Sequence, residues 1–205
     1  MSAMGHTSEL HVVLGTGPLG QATAQALLRR GKAVQMVNRS GRGAVPAGTE
    51  LRGGDLYDPA AVRGLTAGAA AVYGCVQPAY HQWPQLFPPL QASIVEGVAA
   101  TGAKLIIGDN LYMYGPVRGP LTEDLPNAAT TRKGRTRAAM SAALLEAHRA
   151  GKVRVAIGRG ADFYGPGVLD SALGERVFLP ALAGKTASAI GNLDLLHTYT
   201  YIEDF

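Results

Sequence analysis

Residues 12–40 read VVLGTGPLGQATAQALLRRGKAVQMVNRS, and this stretch decides the fold. Its apolar start predicts a β-strand, and the amphipathic residues 18–30, closed by Gly31, predict a helix. The apolar run AVQMVN at 33–38 predicts a second strand. A strand, a glycine turn, a helix and a strand in this order indicate a βαβ unit with parallel strands.

The glycine turn has a spacing that suits a phosphate ligand. Gly15, Gly17 and Gly20 form G-x-G-x-x-G between the first strand and the helix. The first allows a tight turn, the second lets a pyrophosphate approach the backbone, and the third lets helix and strand pack closely. The helix N-terminus adds free N–H groups. We therefore predict that the whole turn binds a dinucleotide: Gly15, Thr16, Gly17, Pro18, Leu19 and Gly20.

Strands and helices continue to alternate along the chain. Further strands are predicted at 50–55, 69–76, 103–108 and 153–158, and further helices at 58–68, 85–101 and 131–150. The segment ELRGGD is a poorer strand, but the other segments are mainly apolar, which is typical of strands buried on both faces. The pattern predicts a three-layer α/β protein with a doubly wound parallel sheet, the Rossmann fold.

The pattern changes after residue 158. The following segments predict a glycine-rich loop at 159–168, a helix at 171–184, short strands at 187–191 and 197–202, and the start of a helix at 203–205. We expect three regions: a disordered leader at 1–9, a dinucleotide-binding domain at 10–165, and an incomplete substrate-side region at 166–205 that returns to the sheet.

The end of the second strand indicates which dinucleotide binds. An NAD site usually carries Asp or Glu there, but this chain has Asn38, followed by Arg39, Ser40 and Arg42. A neutral amide beside guanidinium and hydroxyl groups favours a 2′-phosphate, so we predict NADP(H), with NAD(H) as the other option. The alternative is that both arginines are solvated loop charges.

Two further segments belong to the predicted cofactor site. Asp55 ends the third strand, and Leu56 follows it. We expect Asp55 either to bind the adenine amino group or only to cap a turn. The residues that follow the fourth strand are expected near the nicotinamide: Val76, Gln77 and Pro78.

Composition excludes several classes of function. No apolar run reaches the roughly 18 residues of a membrane helix, so we expect a cytoplasmic protein without a membrane partner. The five histidines are scattered and Cys75 is the single cysteine, which predicts no metal site and no intrachain disulfide. Cys75 lies in an apolar run, so a small buried residue is favoured over a nucleophile. The net charge of +4 suits a phosphorylated cofactor; nucleic-acid binding through RKGRTR at 132–137 is the disfavoured alternative.

Five motifs together resemble a known superfamily. They are GTGPLG at 15–20, GDLYDP at 54–59, LIIGDNLYMYGP at 105–116, GRGADFYGPGV at 158–168 and HTYTYIEDF at 197–205. The chain resembles the short-chain dehydrogenase/reductase superfamily, and within it the extended or atypical branch of NAD-dependent epimerase/dehydratase type. The resemblance implies relatives that continue beyond residue 205, so we expect a truncated chain or a lost lobe. It also implies a homodimer formed through the helices at 85–101 and 131–150.

The resemblance implies a catalytic set of a Ser or Thr, a Tyr and a Lys, and this chain departs from all three. The hydroxyl position falls on Asn110. Lys133 stands where the tyrosine belongs and Arg137 where the lysine belongs, which keeps both on one helix face. Arg137 is expected on the ribose and phosphate oxygens, and Lys133 as a proton or hydrogen-bond donor near the cofactor. Tyr112, Tyr114 and Tyr164 are candidates for the missing phenol.

A polar and aromatic rim is expected where the carboxyl-end loops of a parallel sheet line the ligand crevice. The candidate substrate residues are Tyr80, Trp83, Tyr114, Asp162 and Tyr164. Each of these residues has a plain alternative role: the aromatic rings pack against the protein, and Asp162 caps a turn. His81 and Asp109 lie on the same loops, where His81 is exposed and Asp109 caps a turn in the plain alternative. We thus expect an NADP(H)-dependent oxidoreductase or epimerase/dehydratase-like enzyme for a small carbonyl or sugar-like substrate. The alternative is a non-catalytic NADP(H)-binding redox sensor.

Overall fold

A computed structural model of the chain describes residues 8–205. Six parallel strands form one sheet in the order β3-β2-β1-β4-β5-β6. Their bounds are β1 Leu10–Leu14, β2 Ala33–Asn38, β3 Thr49–Gly53, β4 Ala71–Gly74, β5 Lys104–Asp109 and β6 Arg154–Arg159. The crossover helices are α1 Pro18–Arg29, α2 Pro59–Thr66, α3 Trp83–Ala99 and α4 Arg132–Arg149. The predicted doubly wound α/β fold is confirmed.

The strand order places a ligand crevice at one point of the sheet. The chain runs outward from β1 to β3, then returns and continues from β4 on the other side of β1. At such a switch point the loops after the neighbouring strands diverge and leave a cleft outside their carboxyl ends. The glycine turn after β1 and the segment after β4 therefore lie side by side at this cleft.

Burial on both faces explains why the central strands are apolar throughout. Val12 and Leu14 pack into one apolar cluster with α2, α3 and α4 residues, whereas Val13, between them, packs into a second cluster with α1 residues. All three side chains are fully buried. Successive side chains of a strand point to opposite faces, so an apolar run is what a sheet covered on both sides requires.

The region after β6 differs from its prediction. Within the expected loop at 159–168, strand β7 (Asp162–Tyr164) pairs in parallel with β8 (Tyr199–Tyr201). The expected helix at 171–184 is only a π-helical turn, Gly174–Phe178, followed by the four-residue helix α5, Leu179–Leu182. Residues 187–191 form no strand and 203–205 form no helix. The apolar residues suggested regular structure, but 185–198 are exposed and lie beside no strand that could pair with them.

The ends of the chain also differ from expectation. Residues 1–7 of the predicted leader lie outside the described residues, but Glu9 belongs to the fold. Its backbone carbonyl accepts a hydrogen bond from Ala33, and its carboxylate accepts one from Lys32 at 2.6 Å. Strand β8 pairs with β7 rather than with the six-stranded sheet. The ring of Phe205 lies against Gly158 of β6 and packs on the ring of Phe163, with centroids 5.0 Å apart.

Candidate functional site

The three glycines of the turn have different surroundings. Gly15 has φ +115° and lies so close to the next strand that a Cβ would be 2.9 Å from the carbonyl of Cys75. A Cβ on Gly20 would overlap the carbonyl oxygen of Gly15. A Cβ on Gly17, in contrast, would meet no atom within 4 Å. The first and third glycines are therefore required by packing, and the second leaves open space at the start of α1.

The N-terminus of α1 also lacks the side-chain cap that two other helices have. Asp58 accepts a hydrogen bond from the Ala60 N–H at the start of α2, and Thr131 accepts one from the Gly134 N–H at the start of α4. At α1 the N-cap is Gly17, which offers no side-chain acceptor, and Pro18 follows it. Uncapped N–H groups at a helix N-terminus bind anions, so the turn and the helix together fit a phosphate group.

Asn38 shapes the loop after β2. Its Oδ1 accepts hydrogen bonds from the N–H groups of Ser40 at 3.1 Å and Gly41 at 2.7 Å. Its Nδ2 donates to the carbonyl of Arg42 at 2.9 Å. The amide therefore organises a tight loop in which Arg39, Ser40 and Arg42 are exposed. Within residues 8–205 neither arginine forms a salt bridge, so both guanidinium groups are available to a ligand.

The other predicted cofactor residues fall into two groups. Asp55 is exposed at the end of β3, and its Oδ1 accepts a hydrogen bond from the Tyr57 N–H at 2.9 Å, so it caps a turn in this structure. Leu56 is buried in the main apolar cluster, where its side chain is withdrawn from the cleft. Val76 and Pro78 are half-buried after β4, and Gln77 is exposed between them.

Arg137 forms a buried ion pair that the sequence did not predict. Its guanidinium Nε lies 3.0 Å from Oδ1 of Asp109, and Nη2 contacts the same oxygen. Arg137 is 3% exposed and Asp109 is 5% exposed. The guanidinium lies over the ring of Phe87, 4.4 Å from its centroid. Arg137 was expected to bind the cofactor ribose, but its guanidinium pairs with Asp109 in the interior. Asp109 was expected only to cap a turn, but it also binds Arg137.

Two predicted substrate residues belong to the interior instead. Tyr114 is 3% exposed, and its hydroxyl accepts a hydrogen bond from Arg159 at 2.6 Å. Arg159 also donates to the hydroxyl of Ser141 at 2.7 Å. Trp83 is 5% exposed and donates from Nε1 to the carbonyl of Pro78 at 3.1 Å. Both rings are amphipathic and were expected at a loop surface, but each packs inward and satisfies its polar atom there.

Three of the remaining predicted residues meet at the cleft side of the sheet. Tyr80 donates from its hydroxyl to the hydroxyl of Tyr112 at 3.4 Å. The ammonium of Lys133 lies 3.6 Å from the centroid of the Tyr80 ring. Asn110 accepts a hydrogen bond from the Tyr112 N–H at 3.0 Å and so holds the turn that carries this tyrosine. Burial raises the pKa of Tyr112, and the neighbouring Tyr80 and Asp162 raise it further.

The last two predicted residues, Asp162 and Tyr164, lie on β7. Asp162 pairs with His197 through Oδ2 and Nε2 at 2.8 Å, a contact that no sequence motif indicated. Tyr164 packs on Tyr201, with ring centroids 5.5 Å apart. The same two tyrosines line a cavity of about 320 Å³ together with Phe178 and Leu179. Of the two predicted residues, Tyr164 therefore lies beside open space.

Other candidate chemistries find little support in the described part of the chain. Burial raises the pKa of the Cys75 thiol to about 11, so the thiolate that a nucleophile needs is scarce near neutral pH. Residues 8–205 contain no group of three or more His, Cys, Asp or Glu side chains arranged to hold a metal ion. Among the described helices, none is both long enough and apolar enough to span a bilayer. The RKGRTR cluster is not one basic surface, because Arg137 is buried.

The solved structures with a similar fold include several UDP-sugar 4-epimerases. UDP-N-acetylglucosamine 4-epimerase from Methanobrevibacter ruminantium M1 matches with a TM-score of 0.82 and 15% identity, covering 96% of this chain and 70% of that chain. The same enzyme from Bacillus cereus matches with a TM-score of 0.82 and 17% identity, covering 96% and 68%. UDP-glucose 4-epimerase from Brucella ovis, solved with NAD, matches with a TM-score of 0.68 and 21% identity, covering 77% and 53%.

These structural matches show the fold, and the sequence shows the family. This chain spans about half of the Brucella ovis enzyme and about 70% of the Methanobrevibacter enzyme. A comparison with curated proteins gave no match. The sequence model of the NAD dependent epimerase/dehydratase family matches residues 12–205, nearly the whole chain. The protein belongs to the NAD dependent epimerase/dehydratase family.

Proposed function

We propose that this protein is a nicotinamide-dinucleotide-dependent enzyme of epimerase/dehydratase type that acts on a small carbonyl or sugar-like substrate. One observation carries the proposal: the turn after β1 is closed by Gly15 and Gly20 but left open at Gly17. A glycine turn that served packing alone would not need the second glycine. The space at Gly17, beside an uncapped helix start, is the form that a pyrophosphate requires.

We further propose that the enzyme prefers NADP(H). The backbone of residues 15–20 would hold the pyrophosphate, and Arg39 and Arg42 would hold the 2′-phosphate. Asn38 supports this assignment because it turns the loop so that both guanidinium groups are exposed and carries no charge that would repel the phosphate. The Brucella ovis enzyme was solved with NAD, so NAD(H) is the competing cofactor. When bound, either cofactor supplies the hydride chemistry.

The catalytic end of the site would use a changed set of residues. Lys133 stands where the resemblance places tyrosine, and Arg137 is occupied by Asp109. The donors at this end are Tyr112 and Tyr80, which are exposed, and Lys133, which is half-buried, while Asn110 holds the Tyr112 turn. These residues supply the hydrogen-bond donors that a carbonyl or sugar oxygen needs as its charge changes during hydride transfer.

Fluorescence titration with NADPH and NADH tests the proposed cofactor. Arg39→Ala is expected to weaken NADPH binding about tenfold, the loss of one phosphate contact of about 1.4 kcal/mol, and to leave NADH binding unchanged. Arg63→Ala, which removes an exposed arginine of α2, is the matched control. Equal losses for both cofactors would show that Arg39 does not contact the 2′-phosphate. No binding of either cofactor would refute the proposal.

A second candidate function is a redox sensor that binds NADP(H) without turnover. The buried Asp109–Arg137 pair favours it, because the residue in the position of the family's lysine is buried and bound to Asp109. A sensor must distinguish the two redox forms, so it would bind NADP⁺ and NADPH with different affinities and convert none of a broad panel of carbonyl compounds. Equal affinities would count against the sensor, and turnover of any compound would identify an enzyme.

A further inference from the structure

Three parts of the chain that are far apart in sequence meet at the cleft. Tyr80 lies in the turn Tyr80–Gln82 after β4, Tyr112 begins the turn Tyr112–Tyr114 after β5, and Lys133 lies in the first turn of α4. The two hydroxyl oxygens are 3.4 Å apart, and the Lys133 ammonium covers the face of the Tyr80 ring. These three side chains, the Tyr80–Tyr112–Lys133 group, include two phenols on the cleft side.

The group is anchored by the core beneath it. The Trp83 ring is buried, with its centroid 4.9 Å from that of Tyr80 and 6.0 Å from that of Tyr112. The guanidinium of Arg137, held by Asp109, lies 5.5 Å from the Trp83 centroid. The guanidinium of the buried ion pair thus packs against the Trp83 indole, and the indole packs against the rings of Tyr80 and Tyr112. Packing of this kind holds donor groups in one geometry before a ligand arrives.

The hydrogen bond within the group joins the two hydroxyls, so a proton can pass between them. Either hydroxyl can donate, because a hydroxyl hydrogen rotates; when Tyr80 donates to the Tyr112 oxygen, the O–H of Tyr112 is free to donate to a substrate. Tyr112 is 36% exposed and Tyr80 is 49% exposed, so the first can meet a substrate and the second can exchange protons with water. The charged and titratable groups that face Tyr112 are Tyr80, Lys133 through the Tyr80 ring, and Asp162, which pairs with His197. Burial and the Asp162 charge both keep the Tyr112 proton in place near neutral pH.

We propose that Tyr112 is the proton donor of this enzyme, that Tyr80 relays the replacement proton, and that Lys133 positions Tyr80. This inference rests on the proposed function, because it assigns the proton of a hydride-transfer reaction. A nicotinamide cofactor held by residues 15–20 would supply the hydride for a carbonyl carbon, and the substrate oxygen would then need one proton from a residue of this chain. The Tyr112 O–H bond breaks as the substrate O–H bond forms. The Tyr80 proton moves to the Tyr112 oxygen, and the exposed Tyr80 oxygen takes a proton from water.

The first test needs neither cofactor nor substrate. Incorporation of 3-fluorotyrosine makes phenols more acidic and gives each of the eight tyrosines a ¹⁹F resonance, and Tyr112→Phe assigns one of them. We expect the Tyr112 resonance to titrate at higher pH than the exposed Tyr199, and its midpoint to move in Tyr80→Phe. Tyr199→Phe is the control and should leave the Tyr112 midpoint unchanged. A Tyr112 midpoint that is the same with and without Tyr80 would overturn the pair.

The second test separates proton delivery from cofactor binding. Single-turnover reduction of a panel of aldehydes, ketones and quinones by NADPH is measured alongside NADPH affinity. We expect Tyr112→Phe to lower the rate at least about 100-fold and Tyr80→Phe about tenfold, with NADPH affinity unchanged in both. Lys133→Met should resemble Tyr80→Phe, and Lys133→Arg should restore part of the rate. An undiminished rate in Tyr112→Phe would refute the assignment.

Failure of the proposed function and failure of the proton assignment give different results. If wild-type protein binds neither NADPH nor NADH, the proposed function is refuted, while the ¹⁹F titration still decides whether Tyr80 and Tyr112 are coupled. If wild-type protein binds NADPH and reduces the probes but the Tyr112→Phe protein does so equally well, only the proton assignment is lost.

Discussion

The two halves of the sheet, β1–β3 and β4–β6, carry two different kinds of site. In the first half, residues close in sequence form the site: Gly15 lies against Gly20, and Asn38 binds the N–H of Gly41. In the second half, the decisive contacts are long-range: Asp109 and Arg137 are 28 residues apart, and Tyr80 and Tyr112 are 32 apart.

This difference teaches how such a protein can change its chemistry and keep its fold. The glycine turn depends on backbone shape, and Gly15 and Gly20 lie where a Cβ would collide with backbone atoms. The proposed catalytic end depends on which side chains meet, and Lys133 and Arg137 occupy positions where the resemblance implies tyrosine and lysine. Arg137 is buried in the interior, and the phenols of Tyr80 and Tyr112, from two other loops, lie at the cleft.

Breaking the buried ion pair should produce the largest effect. Arg137→Ala leaves the Asp109 carboxylate buried without its partner, which is expected to lower the free energy of unfolding by about 3–5 kcal/mol. Urea denaturation measures this loss. Arg132→Ala, an exposed position at the start of the same helix, is the control and should stay within about 0.5 kcal/mol. A loss for Arg137→Ala no larger than that of the control would mean that the pair does not hold the second half together.

Alanine at two glycines of the turn should separate packing from ligand binding. Gly20→Ala forces a Cβ into the Gly15 carbonyl and is expected to lower the free energy of unfolding by about 1–3 kcal/mol. Gly17→Ala meets no protein atom, so its stability should be near wild type while NADPH affinity falls about tenfold or more. Thermal unfolding and NADPH titration on both variants measure this. Unchanged NADPH binding in Gly17→Ala would contradict the assigned phosphate position.

Removing one helix cap in each half of the sheet should lower stability equally but change the Tyr80 ring in only one of the two variants. Asp58→Ala at α2 and Thr131→Ala at α4 each remove an acceptor for a backbone N–H and should cost about 1 kcal/mol. Only Thr131→Ala should also disturb the Tyr80 ring, because Lys133 lies in the turn that this cap holds. Urea denaturation and the fluorescence of the single tryptophan, Trp83, report the two effects. A matching change of Trp83 fluorescence in Asp58→Ala would count against this link.

The smallest expected effect is the pH dependence of the free energy of unfolding that Cys75 causes. Cys75 follows β4 and lies against the glycine turn, between the two halves of the sheet. Burial raises the pKa of its thiol to about 11 from an ordinary 9.0, so the unfolded chain loses this proton first as pH rises. The free energy of unfolding should therefore fall between about pH 9 and 11, by no more than about 0.8 kcal/mol at pH 9.5. Denaturation at several pH values, with Cys75→Ala as the reference, measures this slope. An equal slope in both proteins would show that Cys75 does not cause it.

Much of the fold could be predicted because its determinants are local. The alternation of apolar strands with capped helices predicted all six strands of the main sheet and its four crossover helices, with small shifts at their ends. The strand order followed from right-handed crossovers, which are a property of any parallel sheet. The glycine turn was equally predictable, since its G-x-G-x-x-G spacing can be read from six consecutive residues.

The tertiary structure alone decided the rest. Tyr114 and Trp83 were expected at a loop surface and are buried, and Arg137 was expected on a cofactor and pairs with Asp109. Strand β7 was expected as a loop, and it forms only because β8 returns beside it. The physical reason is the same in each case. A side chain's partner, like a short strand's partner, is supplied by a segment far along the chain, and only folding brings that segment within hydrogen-bonding distance.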